Sequence, residues 1–405
     1  MDIYIARQPI FSRTRKVVGY ELLFRGGMEN YFPGIDGDTA TSRVLSGTFF
    51  TTGIDRIAAG RQAYINFPRN LVLRKIPLMF PPETTTVEVL ENVNADAEVV
   101  ESLREIASKG YTVALDDFSY RDGVGPLVDL CHIVKVDFVH STPEEIRTIA
   151  GDMLSRGKRV LAEKVETHAD FERAIGLGFS LFQGYFFSKP EIIKDTDIPA
   201  LKMNLLRIMG EAQQSDYDVG RLKSLIEQDV GVSYKLLRYL NSPFFRRVSP
   251  ITSIRQAIVM LGEKGIRAFI SIILLAELGQ DKPDELIKSS ILRARMCELA
   301  GKKGGSRVDP SELFMMGLFS HIDAILDSDM KSVLERLPLA GEIKDALGDR
   351  TGPLAPYIEL VEGYERGLWE ESGRTSNELG IDEEDLPAIY MDALTYADAL
   401  FDSSQ

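Results

Sequence analysis

Short β-rich runs recur through the first 190 residues, near 3–8, 17–24, 62–67, 85–90, 111–116, 132–137, 159–163 and 180–184, with helical segments between most of them. The intervening stretches AEVVESLREIASKG and PEEIRTIAGDMLSRG carry apolar residues at helical spacing, and each ends at a glycine that can stop a helix. Eight strand units alternating with helices predict a closed α/β barrel of the TIM-like kind, parallel strands ringed by helices. The first connection departs from that rhythm. Only PIFSRTRK separates the first two runs, too little for a parallel crossover, so these strands are expected to form an antiparallel hairpin.

Almost every run carries a polar residue near its C-terminal end: Glu21, Asn66, Glu88, Asp116 with Asp117, Lys135, Glu163 and Gln183. Active sites of such barrels lie at that rim. Any one of these residues is an ordinary turn or cap residue, because strand ends meet polar loops. Their recurrence at one depth, strand after strand, points instead to a converging set of titratable groups. Three or four oxygen donors from Asp, Glu and Asn suit a hard divalent ion, Mg²⁺ or Mn²⁺, rather than zinc. A second adjacent carboxylate, Asp117, extends the set toward a second ion about 3.5 to 4 Å away, the arrangement that activates water and clamps a phosphodiester. Metal-assisted hydrolysis of a phosphate ester is the reaction class that follows.

Bulk composition narrows the partners. A chain of 405 residues exceeds one ordinary core and predicts two domains. The net charge of -14 disfavours a general nucleic-acid or anionic-membrane surface. Cys131 and Cys297 are far apart in sequence with no CxxC, which suits a reducing cytoplasm and no disulfide framework. The start MDIYIARQPIF lacks a signal-peptide pattern, and the most apolar run, AFISIILLAEL, is too short to span a bilayer. The chain reads as cytoplasmic.

The stretch PEIIKDTDIP, residues 190–199, breaks the barrel's rhythm, which places a barrel at 1–195 and a second domain at 196–405. Beyond the break the period is helical, in segments such as SIRQAIVMLGEKGIRAFISIILLAEL and DELIKSSILRARMCELAGKKGG. Asp309-Pro310-Ser311-Glu312 has the cap, first-turn proline and third-position acid of a helix start. Met315-Met316 and Phe244-Phe245 read as core or partner-groove residues.

GYELLFRG, YINFP, VEVLE, ALDDFS, VKVDF, LAEKVE and FQGYFFSKP occur in the order and spacing of the EAL family of cyclic di-GMP phosphodiesterases, which the first half therefore resembles. The resemblance implies that Glu21, Asn66, Glu88 and Asp116 bind one metal and Asp117 the second. It implies that Lys135 places the attacking water, that Glu163 is the general base and that Arg25 meets a substrate phosphate. Gln8 and Gln183 would line the nucleotide pocket, Glu91 would anchor the loop after the paired aspartates, and Glu166 would back the metal ligands. The sequence departs from the family at Leu22 in the namesake triplet, at SYRDGVGPL where a glycine-rich loop is usual, and at Lys164 where the family has glycine. That loop leaves three readings: a phosphodiesterase yielding linear pGpG, a receptor that binds cyclic di-GMP without turnover, and a ligand-free scaffold.

Residues 197–370 resemble the HDOD domain, an all-α relative of the HD phosphohydrolases, through YLNSPFF, the SIRQAIVMLG helix and FMMGLFSHIDAIL. The His-Asp dyad of a working HD enzyme is replaced by Ser320-His321, and three of the four histidines lie in the other half, so no multi-histidine metal centre is expected. The resemblance implies a bacterial signalling protein whose HDOD domain serves as output to an unidentified protein partner, and a homodimer formed through the barrel helices.

Overall fold

The computed structural model describes residues 4–25, 54–120, 123–189, 253–280, 282–305 and 308–404, with isolated positions at 226, 233, 236, 237, 240 and 251. The expected domain break at 190–199 and the Phe244-Phe245 pair lie outside the described residues. By internal contacts the chain divides into two units, Met1–Phe187 with Glu365–Trp369, and Ser188–Tyr364 with Glu370–Gln405.

The first unit is the closed barrel, in sequence order around the ring. Its strands are β1 (Tyr4–Ser12), β2 (Val17–Arg25), β3 (Gln62–Phe67), β4 (Thr85–Val89), β5 (Thr112–Leu115), β6 (Ile133–Asp137), β7 (Arg159–Glu163) and β8 (Leu181–Gln183). β2 to β8 pair in parallel, whereas β1 runs antiparallel to both β2 and β8. The hairpin expected from the short first connection is therefore present. It is tighter than the sequence suggested, because β1 continues through Ser12 and the chain reverses at Arg15, whose φ is +58°.

Period-two alternation sorts the barrel residues. The inward-facing residues Ile10, Tyr64, Ala114, Ile133, Leu161 and Leu181 form one buried apolar cluster. Each stands two residues from a residue of the predicted site, Gln8, Asn66, Asp116, Lys135, Glu163 and Gln183 respectively. The polar layer thus rests directly on an apolar floor. On β1 the offset has the opposite sign because that strand runs the other way. The outward residues, among them Val87, Val113, Val134, Val136 and Val160, are fully buried, as expected of parallel strands covered by helices on the outside.

The covering helices start where their sequences say they should. Asp96 accepts from Val99 N at 3.0 Å to cap Ala97–Ser108, and a reciprocal Thr142/Glu145 capping box opens Pro143–Ser155. Helix His168–Gly176 buries Phe171, which stacks on Phe186 with ring centroids 4.6 Å apart. Gly184, after β8, has φ +143°, and a Cβ there would lie 2.2 Å from the Val165 carbonyl oxygen, so only glycine lets the end of β8 press against the turn after β7.

The second unit is helical throughout its described residues. Ser253 caps Ile254–Leu278, read from sequence as one uninterrupted helical pattern. Gly262 breaks it, with φ +64° and ψ -176° in its interior. Asp309 caps Pro310–Phe319 with proline in the first turn. That helix crosses Asp284–Lys303 closely: a Cβ on Gly317 would come 2.5 Å from the Arg293 carbonyl oxygen. Met315 and Met316 are buried, which places them in the core. His321 is buried too, with Nε2 3.1 Å from Ser289 Oγ.

Candidate functional site at the barrel rim

The strand ends bring the predicted acids to one lysine. Lys135 is fully buried, and its Nζ lies 2.6 Å from Asp116 Oδ1, 2.8 Å from Glu88 Oε1, 2.9 Å from Glu163 Oε1 and 3.3 Å from Glu21 Oε2. Glu21 also accepts from Asn66 Nδ2 at 2.8 Å and from Gln183 Nε2 at 2.7 Å. Gln183 Nε2 donates to Gln8 Oε1 at 3.0 Å as well, and Gln8 Nε2 lies 3.4 Å from the Tyr185 hydroxyl. Residues of β1 to β8 that are up to 175 positions apart in sequence thus share one hydrogen-bonded layer.

Four carboxylates against one ammonium leave an excess of negative charge with little water to screen it. Burial raises Glu88 and Glu163 well above the ordinary carboxylate range, and the neighbouring acids add to it against the pull of Lys135. Burial likewise lifts Asp116 to about 6. Burial would raise Glu21 also, but Lys135 and the amides of Gln183 and Asn66 hold it below its usual value. Burial opposes the charge on Lys135, yet the four carboxylates together raise its pKa well above that of a free lysine.

The donor set fits a hard divalent ion. Asn66 Oδ1, Glu88 Oε2 and Glu163 Oε2 are buried with no hydrogen-bond partner among the described residues, and every donor is oxygen. As arranged around the ammonium, no group of three or more His, Cys, Asp or Glu side chains among the described residues closes on a point that would hold a metal. The carboxylates turn to Lys135, a cation within reach of all four.

Asp117 lies beside this cluster rather than in it. Its φ is +41°, its Oδ1 is buried without a hydrogen-bond partner among the described residues, and that oxygen lies 3.7 Å from Lys164 Nζ. Glu91 is exposed and shares a small pocket with Asp116, Asp117, Phe118 and Ser119; among the described residues no hydrogen bond or ion pair joins it to that loop. Glu166 is exposed on the turn after β7. Arg25 is the last residue of β2, paired in register with Tyr4, and its side chain lies outside the described residues.

One residue escaped the sequence reading. Asp137 ends β6 with its side chain buried, and accepts from the backbone of Val139 at 2.6 Å and His140 at 2.9 Å, from His140 Nδ1 at 2.7 Å, and from Lys164. The signal was present, since Asp137 stands two residues after Lys135 on the same face. Burial pushes its carboxyl up, but the hydrogen bonds from Lys164 and His140 outweigh that and bring it down to about 2. A folded-state value below the unfolded value of about 3.9 means stability that is present above the unfolded pKa and lost as pH falls through about 4 toward 2. The urea midpoint of the parent chain is therefore expected to fall over that window more steeply than that of Asp137→Asn. Parallel curves would show that Asp137 is not held as described.

A closed barrel with carboxylates, amides and one lysine gathered at a single rim, in one chain with a helical unit, defines a barrel protein with an acidic, hard-oxygen site and an attached helical module. Residues 70–190 match the EAL domain and residues 198–335 the HDOD domain. Cyclic di-GMP phosphodiesterase CdgJ of Vibrio cholerae is 37% identical over 95% of this chain and 89% of its own. Uncharacterised protein YuxH of Bacillus subtilis is 34% identical, with both chains covered in full. Among solved structures, the Bacillus subtilis YkuI protein, with an EAL domain and in complex with c-di-GMP and calcium, aligns at 19% identity and a TM-score of 0.36 over 65% of this chain and 73% of that one. The chain belongs to the family of EAL–HDOD proteins that includes CdgJ.

Proposed function

We propose that the barrel hydrolyses cyclic di-GMP to linear pGpG with Mg²⁺ or Mn²⁺ at its rim. The observation that carries this reading is the meeting of Glu21, Glu88, Asp116 and Glu163, from four different strands or their ends, around Lys135, with Asn66 hydrogen-bonded to Glu21. The 37% identity to a cyclic di-GMP phosphodiesterase along nearly the whole chain supports it.

In this reading Glu21, Asn66, Glu88 and Asp116 would hold one ion, and Asp117 is the ligand that a second would require. The ion supplies Lewis acidity toward the phosphoryl oxygens and lowers the pKa of water. Glu163 takes the proton from the attacking water as general base, a role in which a bound cation would favour the ionised form of its buried carboxyl. As the water oxygen bonds to phosphorus, one P–O3′ bond breaks, leaving a 5′-phosphate and a 3′-oxygen that becomes a hydroxyl by taking up a proton from solvent, to which Glu163 returns the one it removed. Lys135 orients the water, and Arg25 meets a substrate phosphate and offsets charge on the phosphoryl oxygens. Gln8 and Gln183, hydrogen-bonded to each other, line the nucleotide side, and Glu166 backs the metal ligands; the anchoring of the loop expected of Glu91 has no hydrogen bond or ion pair behind it among the described residues. The HDOD domain acts as output to a protein partner, and the chain works in the cytoplasm, the reducing setting that two buried cysteines far apart in sequence suit; a homodimer through the barrel helices is part of the same reading. No helix among the described residues is long and apolar enough to cross a membrane.

The test is incubation of the full chain with cyclic di-GMP and Mg²⁺ or Mn²⁺, with chromatographic detection of pGpG. Metal-dependent product is expected. Binding without product, measured by calorimetry, would replace the enzyme by a receptor. Absence of binding would leave only a scaffold.

A further inference from the structure

Lys164 stands in an unusual position for a long charged side chain. It directly follows Glu163 at the end of β7, and its φ is +52°, in the left-handed region that residues with a Cβ enter at a cost. Asp117, across the rim, is also left-handed at +41°. Between these two backbone outliers runs an ion pair: Lys164 Nζ bonds to Asp137 Oδ2 and faces Asp117 Oδ1 at 3.7 Å.

The two carboxylates hold this ammonium differently. Asp137 is buried and fixed by Val139 N, His140 N and the His140 ring, so it is an anchor. Asp117 contributes an oxygen that is buried and has no hydrogen-bond donor among the described residues, so only charge satisfies it. An ammonium fastened on one side and presented to a lone carboxylate on the other takes the place a free cation would fill.

We propose that Lys164 is a tethered cation that holds the Asp117 position against a divalent ion, so that the barrel takes up one such ion at Glu21, Asn66, Glu88 and Asp116 and admits a second only when Lys164 is removed. The inference rests on the metal reading of the rim given above and adds a positioning residue to it. A bridge that merely ties two loops together makes a different prediction, since its loss would alter stability and leave ion uptake unchanged.

Mn²⁺ uptake by the full chain, followed by electron paramagnetic resonance of the free ion and by calorimetry, separates the two. Lys164→Gly suits the left-handed backbone, and Lys164→Gln keeps the side-chain length without the charge. The parent is expected to take up one Mn²⁺ per chain and both variants two, the second bound at least about tenfold tighter than any second ion in the parent. Adding Asp117→Asn to Lys164→Gly should return the count to one. Equal counts and affinities in the parent and both single variants overturn the proposal, whatever the count. A parent that cleaves no cyclic di-GMP would defeat the phosphodiesterase reading while leaving the Mn²⁺ count as a separate measurement.

Discussion

Lys135→Met is expected to destabilise the barrel by about 3–5 kcal/mol at pH 8, the range seen when one member of a buried ion pair is removed. The side chain is fully buried and touches four carboxylates, so its loss leaves their charges facing one another. The size of the loss depends on pH. Glu88, Glu163 and Asp116 already have raised pKa values, and removing the ammonium raises them further. Over the interval between the unfolded and folded values the native state then binds more protons than the unfolded state, so stability falls as pH rises through it. Urea unfolding should show the variant far closer to the parent at pH 5 than at pH 8, and Mg²⁺ or Mn²⁺ should recover part of the deficit. A variant as stable as the parent at pH 8 would mean that the ammonium is not the centre of the cluster.

Glu88→Gln and Asp116→Asn keep side-chain volume and remove a charged donor. Even residues behind the ligands of a metal typically cost 10–100-fold when changed, so direct donors should lower release of pGpG by about 100-fold or more at saturating substrate. Circular dichroism should stay at the parent level, because neutral amides relieve rather than add to the crowding of negative charge. A rate within about threefold of the parent for Asp116→Asn would remove that residue from the proposed ion site and, with it, the reading of the paired aspartates.

Much of the barrel was legible because its signals are local. Apolar runs of strand length, glycines that stop helices and the shortness of PIFSRTRK predicted the ring and its reversed first strand, both observed. The list of rim residues came from the recurrence of a polar residue near the C-terminal end of run after run, and the structure brings Glu21, Asn66, Glu88, Asp116, Lys135, Glu163 and Gln183 together. Which residue occupies the centre was not legible, because it depends on distances across the ring. Lys135 was one polar strand end among several until four acids were found around it. Asp137 was passed over although it shares a face with Lys135, and the reach of Lys164 to Asp137 and Asp117 depends on a left-handed turn that sequence does not announce. In the helical unit, apolar periodicity runs straight through Gly262 because a kink leaves the spacing on either side unchanged.

The apolar cluster of Ile10, Tyr64, Ala114, Ile133, Leu161 and Leu181 separates what keeps the ring folded from what the ring does. Chemistry sits one storey above the packing, and the two storeys use different positions on the same strands. Exchange of an acid for an amide on the upper storey leaves the lower one untouched, so a descendant of this chain can surrender turnover in a single step and still present an intact vessel for a nucleotide. Sensors and enzymes built on this ring are accordingly neighbours in sequence space, separated by a few side chains rather than by a change of architecture.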